Sequence, residues 1–480
     1  MLTQEQQAVV DTVCSANKNS PIIAVNSIAG SGKTATGNAV IRAYKPKNGF
    51  YTAFNKAIVK DSASRFGDLL ECKTIHALAY KHIKPTREIE DLNYLTIKES
   101  MDYASKAIVI DTLDNFFRSS STDIEEYVEE VIPHDEKLRE VVVEYANKML
   151  EGKIPPTFNY LLKCLHLMLA NGELEINYDL LVLDECQDTT AVALEIFKLI
   201  NANAKVIFGD KFQNIYSFMD TVNAFEELDN LHLLRLTKSF RCSPEIAAMV
   251  EAFGKKYLEA DFQYKGNEEV KPEDEFKVAY LTRTNAALIT RMYNLVQNNQ
   301  SFKLTRSVND IFALPMALLN AASGKPVYDK RYKFLQVEYN NYKNIQPNPY
   351  KSFYEYLMNT VDDVAVENTC NMLMMLMNKN INLYELKKQV ASLKPDKNVI
   401  LTTAHAFKGL EMNNVFIEED LNISVRKSID RLHEQLIMDD DCKTLLDARK
   451  YLSRDMKENL NTYYVALSRA RTNLINVNYY

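Results

Sequence analysis

The residues of this chain with the most evident chemical capacity are Ser27-Ile28-Ala29-Gly30-Ser31-Gly32-Lys33-Thr34. They follow the apolar run Ile22-Ile23-Ala24-Val25 and precede a helical pattern from Ala35 to about Tyr44. A strand, a tight turn and a helix N-terminus in that order let backbone N–H groups converge on phosphate oxygens, and Gly30 and Gly32 let the main chain come close. In such a Walker A loop Lys33 neutralises the β and γ phosphates of ATP and the Thr34 hydroxyl holds Mg²⁺. Ser27 stands where the strict pattern has Gly; Ser27, Gly30, Ser31, Gly32, Lys33 and Thr34 together form the expected cradle. The second half of the chemistry is Leu183-Asp184-Glu185-Cys186-Gln187-Asp188. Asp184 at the end of an apolar run is placed to bind Mg²⁺, directly or through water, and Glu185 to polarise the water that attacks the γ-phosphorus. On their own two such acids are usually a solvated turn; the loop at 27–34 gives them a partner.

These groups need strands to present them. Short apolar runs at Ile22–Val25, Leu180–Leu183, Val206–Phe208, Val399–Leu401, Val415–Ile417 and Leu474–Val477 alternate with helical patterns, as a parallel sheet with crossover helices requires. The runs fall into one group before residue 245 and one after. Between about 85 and 165 the pattern becomes amphipathic helix, with Asp123–Glu130 as an acidic face, and reads as a helical insertion. A smaller one spans about 326–394 and contains Met372-Leu373-Met374-Met375-Leu376-Met377, which reads as helix core rather than a Met-rich groove. The polar run Lys265–Glu275 reads as a surface loop.

The 480 residues suffice for three or four compact units, with 46% hydrophobic and 25% charged residues excluding wholesale disorder. The balance of 57 basic against 64 acidic residues gives −7, so nucleic-acid binding has to come from a local groove. No Cys-x-x-Cys pair occurs among the seven cysteines, which argues against a zinc ribbon or a disulfide framework. No run reaches the ~20 apolar residues of a bilayer span, and Met1–Gln7 is too polar for a signal peptide, so the expected location is the cytoplasm, or the nucleus in a eukaryote. Few Gly, no Trp and abundant Lys, Asn, Ile and Tyr are what an AT-rich genome, a phage's included, produces.

Taken together with the segments that follow, Asp184-Glu185-Cys186-Gln187-Asp188 resembles the Asp-Glu-x-Gln-Asp box of superfamily 1 DNA helicases of the UvrD/Rep/PcrA type, including the F-box DNA helicase branch. Leu2-Thr3-Gln4-Glu5-Gln6 resembles the Q motif, implying that Gln6 reads the adenine edge. Thr52–Ala57 and Thr74–Leu78 resemble the boxes that line the single-strand track, implicating Phe54, Asn55, Thr74 and His76. Gly209–Phe218 is similar to motif III, implying a γ-phosphate sensor at Gln213 and strand contacts at Tyr216 and Phe218, with Phe218 as the stacking platform where the family has Trp. Met219-Asp220 stands where that motif has a later Arg. Leu236–Ser243 resembles motif IV, implying adenine stacking by Phe240 and an arginine finger at Arg241. Leu281–Asn285 resembles the next box, where Arg283 reads as structural. Thr403–Glu411 resembles motif V, implying strand contacts at His405 and Lys408 and nucleotide contacts at Gly409 and Glu411. Tyr463–Ala470 resembles motif VI, with Arg469 as a second arginine finger.

The resemblance implies an α/β protein of two RecA-like P-loop NTPase lobes with parallel sheets, each carrying a mainly helical insertion. The expected boundaries are 1–84 with 166–245 for the first lobe, 85–165 for its insertion, 246–325 with 395–480 for the second lobe, and 326–394 for its reduced insertion. The lysine-loop half-site lacks the positive charge that a γ-phosphoryl transition state requires, so the second lobe is expected to supply guanidinium groups on ATP-driven closure. The implied activity is that of an ATP-hydrolysing DNA helicase or translocase moving 3′-to-5′ on single-stranded DNA, with ATP and Mg²⁺ as cofactors. Single-stranded DNA, single/double-strand junctions and replication, recombination or repair proteins are the expected partners, and no membrane. An RNA helicase of the same superfamily and an ATP-gated clamp without processive unwinding are the alternatives.

Overall fold

The computed structural model describes residues 2–478 other than 54–55, 94, 102, 217–219, 274, 362 and 440–441. The chain divides into two compact units, Met1–Lys238 and Ser239–Tyr480.

In the first unit, α1 (Gln4–Ser15), β1 (Ile22–Ser27), α2 (Lys33–Tyr44), β2 (Gly49–Ala53), α3 (Lys56–Phe66), β3 (Glu71–Cys72) and α4 (Ile75–Ile83) are followed by four consecutive helices. These are α5 (Tyr103–Arg118), α6 (Ile124–Val131), α7 (Glu136–Leu150) and α8 (Phe158–Ala170). Then come β4 (Asn177–Asp184), β5 (Thr189–Thr190), α9 (Ala191–Leu199), β6 (Asn201–Gly209), β7 (Thr221–Val222), α10 (Ala224–Glu227) and β8 (Leu231–Leu236). Six strands form one parallel sheet in the order β3-β2-β4-β6-β1-β8.

Side chains alternate across this sheet because the strand period is two. Ile23, Val25, Tyr51, Ala53, Leu180, Val182, Val206 and Phe208 share one face and a core with α1, α2 and α3. Ala24, Phe50, Leu181, Leu183 and Ile207 share the other with α4, α8 and α9. Burial on both faces is why the central strands read as unbroken apolar runs. The order places the ends of β1, β4 and β6 side by side at one edge of the sheet, with the chemistry-bearing turns beyond them.

The helices α5, α6 and α7 have a core of their own around Val109, Leu113, Phe117, Val142 and Tyr145. The acidic stretch expected at 123–130 is α6, with Asp123 as its N-cap accepting from the N–H groups of Glu125 and Glu126. Lys163 of α8 is 2% exposed, and its ammonium donates to the carbonyls of Ser119 (2.8 Å) and Ser121 (2.6 Å) just past α5. It also lies 4.5 Å from the Phe116 ring centroid.

The second unit holds α11 (Pro244–Tyr257), β9 (Val278–Thr282), α12 (Asn285–Gln297), β10 (Lys303–Leu304), α13 (Val308–Ile311), α14 (Ala313–Ala322), α15 (Phe334–Asn344), α16 (Phe353–Thr360), α17 (Val364–Asn378) and α18 (Leu383–Ser392). It continues with β11 (Val399–Thr403), β12 (Met412–Ile417), α19 (Glu419–Met438), α20 (Leu445–Ala448), α21 (Arg454–Leu467) and β13 (Ala470–Ile475). Its sheet is also parallel, in the order β10-β11-β9-β12-β13. Each unit is thus a parallel sheet flanked by helices, as in tandem RecA-like P-loop lobes with helical insertions.

The last strand begins earlier than the expected Leu474–Val477. It is Ala470–Ile475, since pairing of Ala470 with Met412 extends it back to the end of α21. Met372, Leu373 and Leu376 of α17 are buried in a core shared with α12, α14 and α16, so the methionine-rich stretch is packing, as its helical spacing indicates. The seven cysteines are free thiols. No helix among the described residues is long and apolar enough to cross a membrane.

Burial pushes the Lys163 ammonium down to about 7, whereas an unfolded lysine titrates near ~10.4. Between those values the unfolded chain binds the extra proton, so the lysine's contribution to stability grows as pH rises. Lys163→Met strips two buried carbonyls of their donor and should lower stability by about 1–3 kcal/mol near pH ~10. The deficit should shrink toward pH ~7. Urea unfolding of both proteins across this range checks it, and a pH-independent difference contradicts it.

Candidate functional site

The site in the first unit begins with a turn only two glycines could make. Gly30 (φ 77°) and Gly32 (φ 78°) both have left-handed backbones between β1 and α2, and Gly32 is the N-cap of α2, which starts at Lys33. The first-turn N–H groups of that helix, which have no partner within it, face the loop. The Ser31 hydroxyl is buried and has no hydrogen-bond partner among the described residues. Ser27 is 3% exposed, with its hydroxyl on the Val25 carbonyl at 3.3 Å. The Gln6 amide donates to the Ser31 carbonyl (3.3 Å) while its oxygen accepts from Thr3 N–H (3.0 Å) in the α1 capping box. Gln6 is therefore brought against the lysine loop. Glu5 ties the same helix to the end of β8 by accepting from the Thr237 N–H at 2.8 Å.

Lys33 lies between two carboxylates at the end of β4. Its Nζ is 2.8 Å from Asp184 Oδ1 and in close contact with Glu185 Oε1. Burial alone would push this ammonium down, but Asp184 and Glu185 outweigh it and hold its pKa above the usual lysine range. Glu185 has φ 52°, a left-handed conformation costly for a residue with a Cβ, which turns its side chain toward Lys33. Such strain concentrates at functional positions.

From Glu185 a polar chain runs to the end of β6. Gln187 Nε2 donates to Glu185 Oε2 (2.5 Å) and its Oε1 accepts from the Asp210 N–H (3.1 Å). Gln213 Nε2 donates to Asp210 Oδ2 (2.7 Å), and Asn214 Nδ2 to the Gln187 carbonyl (2.5 Å). Gly209 is required here: a Cβ would stand 2.3 Å from Gln187 Oε1 and 2.7 Å from Cys186 Sγ. Gln187 and Asp210 carry this connection. The sequence reading quoted both inside motifs and gave neither a role; the only signal was their position beside assigned residues.

Thr74 is the N-cap of α4, accepting from Ala77 N–H. His76 Nε2 meets Asn159 Oδ1 of α8 at 3.2 Å, and Asn159 Nδ2 donates to Asp114 of α5 at 2.8 Å. Asp114 pairs with Arg118 (2.8 Å), which pairs with Asp220 (3.0 Å). Burial pushes the His76 imidazole down, against the opposing hydrogen bond to Asn159. Asp220, standing where the resembled motif has an Arg, is thus held by an arginine of the inserted helices. Tyr216 is half-buried, its carbonyl accepting from the Thr221 hydroxyl at 3.0 Å. Phe54, Asn55 and Phe218 lie outside the described residues.

In the second unit, Arg241 Nε donates to Glu411 Oε2 (2.7 Å) and its Nη1 to the Ser468 carbonyl (3.1 Å), so motifs far apart in sequence converge. Gly409 has φ 87° at the turn before Glu411, and Phe240 is 42% exposed. Arg469 is 1% exposed; its guanidinium donates to the Val465 carbonyl (2.9 Å), the Ser468 hydroxyl (2.8 Å) and the Leu410 carbonyl (3.5 Å). His405 Nε2 lies 3.4 Å from both Arg283 and Glu458 Oε1, and Arg283 pairs with Glu458 at 3.0 Å. Burial lowers the His405 pKa, with Glu458 pulling upward and Arg283 downward. Glu458, absent from the sequence reading, holds both groups together. Lys408 follows in the same turn, its N–H on the His405 carbonyl at 3.3 Å.

The first-unit residues fit a Mg²⁺-bound triphosphate: an orphaned Ser31 hydroxyl, two glycines with left-handed backbones, a helix N-terminus, a lysine, and a carboxylate across from Thr34. The sequence profile described as AAA domain matches residues 6–219, the stretch that holds this arrangement. The chain is similar to F-box DNA helicase 1 of Gallus gallus, at 28% identity over 63% of this chain and 33% of that protein. It is also similar to F-box DNA helicase protein 1 of Schizosaccharomyces pombe, at 24% identity over 99% of this chain and 57% of that protein. The chain thus spans between a third and somewhat over half of the length of these relatives.

Lys33→Ala removes the cation that contacts both Asp184 and Glu185. ATP turnover should fall by at least about 10²–10³-fold, with the far-ultraviolet circular dichroism unchanged. A coupled phosphate-release assay reads this, and retained turnover contradicts the assignment of Lys33 to the phosphates.

Proposed function

We propose that this chain is an ATP-driven motor of the UvrD/Rep/PcrA branch of superfamily 1 that moves 3′-to-5′ on single-stranded DNA inside the cell. The observation that carries the reading is the unbroken polar chain from Lys33 through Glu185, Gln187 and Asp210 to Gln213. It joins the phosphate cradle to the segment whose continuation, 217–219, includes the proposed stacking residue Phe218. A binding module that only held nucleotide would have no use for such a link.

In this reading Lys33 leaves the two carboxylates for the β and γ phosphates. Asp184 and Thr34 would hold Mg²⁺, which would supply charge neutralisation to the phosphates. Released from Lys33, Glu185 takes a proton from the water whose oxygen attacks the γ-phosphorus as the bond to the β-phosphate oxygen breaks. Gln213 senses whether the γ-phosphate is present, and Asp210 and Gln187 carry that state between motifs. Gln6 and Phe240 hold adenine; Gly409 and Glu411 border the nucleotide. Arg241 and Arg469 supply the positive charge that the lysine loop lacks. Arg241 must leave Glu411 to do so, and Arg469 the carbonyls that now hold it, so binding of ATP by the second lobe competes with contacts inside that lobe.

The lobes are assigned to 1–84 with 166–245 and to 246–325 with 395–480, with insertions at 85–165 and 326–394. Strand contacts at Phe54, Asn55, Thr74, His76, Tyr216, Phe218, His405 and Lys408 fall to phosphates and base faces, which gives little sequence preference and strong salt dependence. Replication, recombination or repair proteins at strand junctions are the fitting partners.

Strand displacement on duplexes with either a 3′ or a 5′ overhang, in ATP and Mg²⁺, should proceed from the 3′ tail alone. ATPase stimulation by poly-dT should exceed that by poly-U by about tenfold or more, a difference of ~1.4 kcal/mol. Equal stimulation by poly-U points to RNA, and ATP use without displacement or strand-length dependence points to a clamp.

A further inference from the structure

Asp184 has a ligand that none of the motifs contains. The Tyr51 hydroxyl of β2 donates to Asp184 Oδ2 at 2.5 Å, and the tyrosine is 4% exposed. The sheet register explains the reach: Tyr51 pairs with Val182 and Ala53 with Asp184, so Tyr51 and Asp184 are diagonal neighbours on the same face. Such neighbours lie ~7–8 Å apart at the backbone, a gap that an aromatic side chain spans and a shorter one does not. Burial and Asp184 push the phenol's pKa above its ordinary range, with Ser62 of α3, itself 3% exposed, drawing it the other way. The remaining oxygen, Asp184 Oδ1, accepts from the Glu185 N–H at 2.8 Å as well as meeting Lys33.

We infer that Tyr51 is a positioning residue that fixes the Asp184 carboxylate for Mg²⁺, an inference that rests on the nucleotide reading above. A carboxylate has about four acceptor sites. With Lys33 moved to the phosphates, the Glu185 N–H holds one oxygen and the phenol the other. The carboxylate plane is then fixed while one position on each oxygen is open to the metal or its water. Without the phenol, only the backbone contact on Oδ1 resists rotation about the Cβ–Cγ bond. The cavity beside these groups, lined by Lys33, Thr34, Tyr51, Phe66 and Asp184 among others, measures about 10 Å³. That admits at most about one water molecule, leaving little room for solvent to replace the hydroxyl.

Tyr51→Phe keeps the ring in its core and deletes only the donor. The probe is a fluorescent non-hydrolysable ATP analogue, titrated onto the full chain and the variant in EDTA and then at increasing Mg²⁺. The Mg²⁺ concentration giving half of the gain in nucleotide affinity should rise by about tenfold in the variant, the size expected when a residue orienting a metal ligand is lost. Affinity in EDTA should be unchanged. Superimposable Mg²⁺ curves for wild type and Tyr51→Phe overturn the role of Tyr51 while leaving nucleotide binding intact. A parallel loss of affinity with and without Mg²⁺ overturns it too, since that is the mark of a purely structural role. Failure of the wild type to bind the analogue overturns the nucleotide reading and this inference with it.

Discussion

The contact on which the first unit's chemistry depends is the ammonium of Lys33 held between Asp184 and Glu185. The lysine follows β1 and both carboxylates stand at the end of β4, strands that are neighbours but one in a parallel sheet, so only correct sheet order brings them together. Three charges in a partly buried site must be balanced or desolvation penalises them. Here Lys33 is shared between Asp184 and Glu185. In the proposed function a triphosphate would take the lysine and a magnesium ion the Asp184 carboxylate, which would change the groups that Glu185 can reach.

This exchange gives the polar chain beyond Glu185 something to transmit. Gln187 holds Glu185 with one end of its amide and the Asp210 backbone with the other, and Gly209 has no side chain because that amide passes over it. A movement of Glu185 is thus felt at the start of the segment that leads to Gln213 and onward. The other oxygen of Asp184 is held by the phenol of Tyr51 from β2. The inserted helices are tied in by His76, Asn159, Asp114, Arg118 and Asp220. In the second unit, Glu411 engages Arg241, and Glu458 engages Arg283 and His405, so the groups proposed to meet nucleotide and strand are themselves held by carboxylates.

Much of this was legible in the sequence where the signal is local. The central strands β1, β4 and β6 are buried on both faces, and continuous apolar runs announce them. Strand β2 escaped notice because Gly49-Phe50-Tyr51-Thr52-Ala53 mixes small and hydroxylated residues, and β3 and β10 have two residues each. Strand β8 sits at the sheet edge, where Leu231-His232-Leu233-Leu234-Arg235-Leu236 is half exposed and no longer a solid apolar run. Strand β13 was placed too late because its first residues, Ala470-Arg471-Thr472-Asn473, read as polar. The lysine loop and the acidic pair were identifiable because their spacing is fixed by one turn each. Tyr51 on Asp184, Gln187 under Gly209 and Glu458 on His405 were not, since each joins segments whose proximity is created by sheet register or helix packing alone.

The most direct test of the account is a crystal structure of the chain with Mg²⁺ and a non-hydrolysable ATP analogue. The account predicts Lys33 Nζ on the β and γ phosphates, Asp184 facing the metal, and Glu185 parted from the lysine. Nucleotide bound away from the 27–34 loop, or a Lys33–Glu185 contact that persists with the triphosphate in place, would contradict it.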